Sequence, residues 1–298
     1  MSFSITTSFV DQFSSNLVLL SQQKGSRLRK ACRVENITGE EAFFDQIGSV
    51  DAVAITDRHG DSPLINTPHS RRRITPVDYE WGDLIDKLDK VKTLIDPASG
   101  YVRSGSYALG RSIDDEIISA ATGTAYTGKA GGTSTVLPAG QKVAVTIGGG
   151  GGNAGLNLEK LIAAKSLFGK NDVDLDDPEN KLYFAVRQQQ LDDLLAETEI
   201  KSSDFNAVKA LVKGEVDSFM GFEFIRTERL ANASATDITT CFAWSKSGIC
   251  VGLNQDIMAR VQERADKRFS WYAYACMSVG ASRMEEEKVV QISCDESP

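Results

Sequence analysis

The stretch nearest to a known chemistry is Gly123-Thr124-Ala125-Tyr126-Thr127-Gly128-Lys129-Ala130. A P-loop uses glycine backbone N–H groups to cradle phosphates, a lysine to reach them, and a hydroxyl after the lysine to hold magnesium. Here Ala130 stands at the hydroxyl position, and the stretch follows an expected helix rather than a buried strand. The spacing therefore reads as a helix-exit loop. A second glycine run, Gly148–Gly152, precedes an expected helix from Leu156 to Phe168. It lacks the GxGxxG pattern and reads as a linker.

Other reactive side chains are sparse. The two histidines, His59 and His69, lie in polar, arginine-rich segments without the apolar surroundings that tune a catalytic pair. The five cysteines (Cys32, Cys241, Cys250, Cys276, Cys294) are widely spaced, with no CxxC, and fit reduced thiols better than zinc ligands or disulfides. Asp172, Asp174, Asp176 and Asp177 resemble a calcium loop only in charge, because its glycine and terminal Glu are missing. No catalytic, cofactor-binding or metal residue is singled out, and the chain is expected not to be an enzyme. The competing enzyme reading uses Lys129 or the glycine run and requires nucleotide binding.

The basic runs Arg27/Arg29/Lys30 and Arg71–Arg73 lack interleaved aromatics, so base stacking is not expected. Arginine pairs carboxylates in a bidentate fashion, and these runs suit salt bridges across subunits. With 33 basic and 41 acidic residues the net charge is −8, which argues against a dedicated nucleic-acid binder. With 41% hydrophobic residues the 298-residue chain can bury a real core. No apolar run is long enough to span a bilayer, and the first twenty residues lack the basic start of a signal peptide.

These residues must be positioned by a mixed α+β chain. A long amphipathic helix is expected over Asp96–Gly123, with Leu109, Ile113, Ile117 and Ala120–Ala121 on its apolar stripe and Arg111, Asp114 and Asp115 largely off it. Before it, residues 1–24 read as an arm and 25–75 as strands and turns with too few apolar anchors for a core of their own. Strands are expected at 33–37, 42–44 and 50–56. Helical spacing of Val77, Trp81, Leu84, Leu88, Val91 and Ile95 predicts a helix over 76–95. Later expectations are strands at 143–147, 182–186, 219–225, 241–244 and 249–251. Helices are expected at 156–168, 188–197, 204–213 and 254–265. A long antiparallel pair of strands is expected over 268–293.

Three stretches then carry a family resemblance: Ala108–Ala121, Val208–Phe224, and Asp266–Ser270 running into Ser278–Met284. They resemble the major capsid proteins of tailed bacteriophages, of the Hong Kong ninety-seven type. The resemblance covers most of the chain and carries a fold and a role but no active site. It implies an N-terminal arm at 1–24 and an extended loop at 25–75. A peripheral domain is implied at 76–155 and 268–298, with its spine helix near 101–122, and an axial domain at 156–267. It also implies hexamers and pentamers in an icosahedral shell around double-stranded DNA, in a virion assembled in the bacterial cytoplasm. A separate scaffolding protein, a portal and a decoration protein are the expected partners, with no membrane. An encapsulin-like compartment shell is the related alternative.

Overall fold

The computed structural model describes residues 21–56, 58, 60–85, 98–174, 177–196, 218–233 and 237–297. Contacts divide the chain into two units. One takes Asp78–Ser112, Gln255–Ser278 and the stretch up to Ser26; the other takes Arg27–Val77, Ile113–Asn254 and Val279–Pro298. The long helix is present as α1 (Ala98–Thr122). Leu109, Ile113, Ile117 and Ala121 are all buried, as their four-residue spacing requires.

The larger unit is organised by a mixed sheet in the order β7-β15-β12-β8-β10-β9, with β11 (Asn232–Ala233) pairing β12. β7 is Lys142–Val143, β8 Leu182–Val186, β9 Ser218–Phe219 and β10 Phe222–Arg226. β12 is Ile238–Ser245 and β15 is Val289–Asp295. β12 runs antiparallel to both β15 and β8, while β8 and β10 are parallel. Two helices accompany this sheet, α2 (Leu158–Lys170) and α3 (Gln188–Ala196). The Asn157 side chain caps α2 by accepting from Lys160 N–H at 2.9 Å. Phe168 and Phe184 both pack against Phe222, with centroids 6.2 and 5.7 Å apart.

A smaller sheet in the same unit has the order β2-β3-β5-β6. β2 (Ala42–Ile47) and β3 (His69–Ile74) form an antiparallel hairpin; β5 (Ala125–Thr127) and β6 (Thr133–Thr135) extend it. β1 (Arg33–Asn36) pairs in parallel with Cys250–Leu253.

The smaller unit takes Gln255–Arg264 of β13 (Ile249–Arg264) and Ser270–Ser278 of β14 (Ser270–Arg283), which lie side by side, with Asp78–Ile85 of β4 (Val77–Ile85) on the other edge of β14. Arg264 stacks over Tyr272, and Gln255 reaches Cys276, so β13 and β14 run in opposite directions. On β14, Ala273, Ala275 and Met277 are buried, and Tyr272 stacks on Tyr274 from the opposite face.

Several expectations are corrected. Residues 77–85 form β4, not a helix, because Val77, Tyr79 and Trp81 also alternate with Asp78 and Glu80. Pairing with β14, where Tyr274 reaches Glu80, selects the period of two over the helical spacing. Residues 86–95 lie outside the described residues, as do the arm up to Leu20 and the expected helix at 204–213. The helix expected at 254–265 is the outer half of β13, held in strand form by the length of β14.

The strand expected at 219–225 is split by a two-residue turn. Met220 and Gly221 both take positive φ, 53° and 88°, the pattern that joins β9 tightly to β10. β7 ends at Val143, and residues 50–56 form no regular element. The pair expected over 268–293 does not form: β14 pairs with β13 and β4, whereas β15 pairs with β12 and β7.

Candidate assembly surface

The three arginines of β3 face alternate sides, and each meets an acid. Arg71 grips Asp45 on the facing strand through two hydrogen bonds, 2.5 and 3.2 Å. Those bonds hold the Asp45 carboxyl below its ordinary range. Arg73 bonds Glu41 at 2.9 Å and stacks over Tyr126. Arg72 points to the buried side and donates to Glu286 at 2.5 Å. The run suits salt bridges across subunits; within this chain Arg71 and Arg73 meet acids beside the hairpin, and Arg72 meets Glu286 of the segment between β14 and β15. Below it, Ile74, Ile37, Cys250 and Met284 form a small core against Ala42 and Phe44. The hairpin base is therefore tied to the body by both charge and burial.

Beyond that base the order of the ladder stops. Gly48 N–H bonds the Pro68 carbonyl at 2.9 Å, closing the last rung. The chain from 49 to 67 then carries Val50, Val53, Ile55 and Leu64 in the open, Ile55 at 92% and Leu64 at 99% exposure. Single exposed apolar residues are ordinary, but these four together with Ile65, on one excursion, are a surface that awaits a partner.

The chain entering the body is held by α1. Arg111 donates to Gln22 Oε1 at 2.9 Å and to the Gln23 carbonyl at 3.2 Å. Three residues on, the buried Asp114 carboxylate accepts from the backbone N–H groups of Arg27 (3.0 and 3.2 Å) and Leu28 (3.1 Å). Arg27 spends its guanidinium on the Arg226 carbonyl at 2.6 Å. Leu28 and Ala31 are buried, and Trp244 Nε1 donates to the Ala31 carbonyl. Asp114, expected off the apolar stripe of the helix, is instead fully buried, because its carboxylate satisfies the backbone N–H groups of Arg27 and Leu28.

The residues with chemical promise are placed apart. Lys129 sits on the β5–β6 turn, and its carbonyl accepts from Arg71 at 3.4 Å. The glycine run forms successive turns, in which Gly148, Gly150 and Gly151 take positive φ. The cation beside that run is Lys160, fully buried. Its ammonium is committed to three carbonyls, those of Ala154 (2.6 Å), Gly155 (2.9 Å) and Ser293 (3.0 Å). His69 is exposed at the start of β3; His59 and Asp176 lie outside the described residues. Cys32, Cys241, Cys250 and Cys294 are buried as free thiols. Burial pushes the Cys32 thiol well up. Among the described residues no cluster of acids, histidines and cysteines has the makings of a metal site. No helix among them is long and apolar enough to cross a membrane.

A family model described as phage capsid protein matches residues 5–296. No curated protein matches the sequence. Solved structures similar to this chain include the capsid of Ralstonia phage GP4, with a TM-score of 0.75 at 10% identity, over 98% of this chain and 96% of that one. The head of Helicobacter pylori bacteriophage KHP40 gives 0.73 at 10% identity, over 100% and 99%. The capsid of cyanophage P-SCSP1u gives 0.70 at 17% identity, over 100% and 96%.

Proposed function

Because the chain belongs to the phage capsid protein family, we propose that it is a major capsid protein that closes into an icosahedral head shell of hexamers and pentamers around double-stranded DNA. The observation that carries this reading is the hairpin. Its base is locked by Arg71–Asp45 and Arg72–Glu286, while its far part offers Val50, Val53, Ile55 and Leu64 to solvent. A fixed base with an uncovered apolar end is built to reach something else, and in a self-assembling shell that is a neighbouring copy.

The hairpin belongs to the extended loop, 25–75. The arm is residues 1–24, and the peripheral domain is 76–155 with 268–298, its spine helix being α1. The axial domain is 156–267; its strands β8, β10 and β12 share a sheet with β7 and β15 from outside that span. Assembly in the bacterial cytoplasm uses a separate scaffolding protein and a portal. The net charge of −8 keeps packaged DNA mobile, because like charges repel.

The deciding experiment is a negative-stain image of the protein expressed with and without the scaffolding gene of its phage. Closed shells of uniform diameter support the reading. A stable monomer under both conditions, or saturable nucleotide binding lost in Lys129→Ala, would overturn it.

A further inference from the structure

Two neighbouring depressions on the larger unit carry opposite charge. The first, a groove of about 1060 Å³, is lined by Arg29, Lys30, Arg33, Lys181, Lys246 and Lys288 against only Asp177 and Glu179. The second, a recess of about 700 Å³, is lined by Asp172, Asp174 and Glu285–Glu287 against Arg72 and Lys288. Asn180 and Lys288 line both, so the two share a border. On an acidic chain, six cations in one groove are a local reversal of sign.

Part of this charge is already used. Arg33 pairs with Glu35, Lys181 with Glu223, Lys288 with Glu285, and Glu286 with Arg72. Lys30 and Lys246 on the basic side pair with no carboxylate among the described residues. Asp172 and Glu287, both exposed, likewise pair with no cation on the acidic side. Asn180 is fixed between the two sides: its Oδ1 accepts from Ser245 Oγ at 2.5 Å and Ser247 N–H at 3.0 Å.

We infer that this face is an isologous contact with a second copy of the chain, the basic groove of each copy lying on the acidic recess of the other. The symmetry argument decides the kind of contact. Neighbours around a five- or sixfold ring meet through two different surfaces, one on each side of the subunit. Opposite charges that adjoin on one surface are complementary to themselves only under a twofold rotation, whose axis passes near their common border at Asn180 and Lys288. The contact therefore joins subunits of two adjacent rings. It rests on the shell reading, and it adds which surface joins the rings and by what force.

Charge reversal tests it in particles recovered from co-expression. Lys30→Glu with Lys246→Glu puts acid against acid; Asp172→Lys with Glu287→Lys puts base against base. Each double variant should raise the protein concentration needed for particles by about tenfold or more. The quadruple variant should recover to within about threefold of wild type, because the swapped charges again face their opposites. All four positions are at least partly exposed, and circular dichroism with thermal melting confirms that each variant folds. Wild-type-like assembly of either double variant overturns the contact, as does a folded quadruple variant that fails to recover. Loss confined to the lysine variant also overturns it and points to a polyanion in the groove. Absence of particles from the wild-type protein strikes the shell reading itself, and this contact falls with it.

Discussion

The Arg283 guanidinium donates to the Gly123 carbonyl at 2.9 Å, from β14 to the end of α1. The same Nη1 reaches the Ala121 carbonyl at 3.0 Å, and Nη2 reaches Thr135 at 3.1 Å. The last carbonyls of a helix have no partner within it and carry its negative end, so a buried cation there satisfies both needs. Arg283 is fully buried, and Glu286 lies 3.6 Å from its Nε. Arg283→Met should lower stability by about 3 to 5 kcal/mol, since it orphans several carbonyls and strips Glu286 of one cation. Arg283→Lys should recover less than half of that loss, because an ammonium cannot reproduce the fork. Urea unfolding of the monomer followed by tryptophan fluorescence reads both values.

Two helix glycines give an opposite sign from propensity. Glycine inside a helix costs about 1 kcal/mol against alanine, so Gly105→Ala and Gly110→Ala should each stabilise α1 by that amount. A Cβ at Gly105 would stand 2.4 Å from the Trp81 ring, and one at Gly110 would stand 2.5 Å from the Gly25 Cα. The Trp81 ring and the Gly25 backbone would both have to shift. Each variant should therefore melt below wild type, and Gly110→Ala should also expose the chain near Gly25 to limited proteolysis. A rise in melting temperature would mean that these contacts give way easily.

The helix and the buried strands were legible because their signals are local. Leu109, Ile113 and Ile117 mark one face of α1, and the Leu182–Val186 run is too short and too apolar for anything but a buried strand. The failures at 77–85 and 254–264 have one cause. Both segments carry apolar residues at spacings that suit either period, and pairing with β14 decides for the strand; β14 lies far along the chain from 77–85 but directly after 254–264. The excursion beyond β2 was legible from its turn residues and scarce anchors, but β3 was not: a strand was expected at 50–56, while His69–Ile74 showed only its polar, arginine-rich character. The latch at Asp114 was not, because a carboxylate that binds backbone N–H groups looks in sequence like any surface acid. The self-complementary charge face was hidden for the same reason: it joins residues near 30, 175, 246 and 287 that only the fold brings together.

Burial also sets the alkaline limit of the fold. The Cys250 thiol is pushed up from 9.0 to about 11 by desolvation, with Glu35 adding to the rise and Arg33 opposing it. The folded state thus keeps its proton where the unfolded chain has lost it. That contribution is whole below pH 9 and is lost as pH climbs through about 11. The full gap is worth on the order of 3 kcal/mol. Stability measured by urea between pH 8.5 and 11 should fall with a slope that Cys250→Ala makes shallower. A slope unchanged in Cys250→Ala would assign the decline to other groups. Folded protein at pH 8 should also resist alkylation at Cys250, while the half-exposed Cys276 reacts first; peptide mass spectrometry distinguishes them.

The hairpin supplies the sharpest separation of folding from assembly. Leu64 and Ile55 touch almost nothing in their own chain, so Leu64→Asp and Ile55→Asp remove no buried contact there. Surface substitutions away from packed or bonded groups usually change stability by less than about 0.5 kcal/mol, and these two should do the same. In a shell the same side chains would lie against a neighbour. Burying a large aliphatic side chain contributes about 1.5 to 3 kcal/mol, and an unpaired carboxylate put in its place costs more still. That loss recurs at every copy, so either variant should unfold at the wild-type urea midpoint and yet give few or no particles in sedimentation. Normal yields from both would mean that the exposed end of the hairpin stays in solvent even in the shell, and the contact that holds neighbours together would have to be sought on another surface.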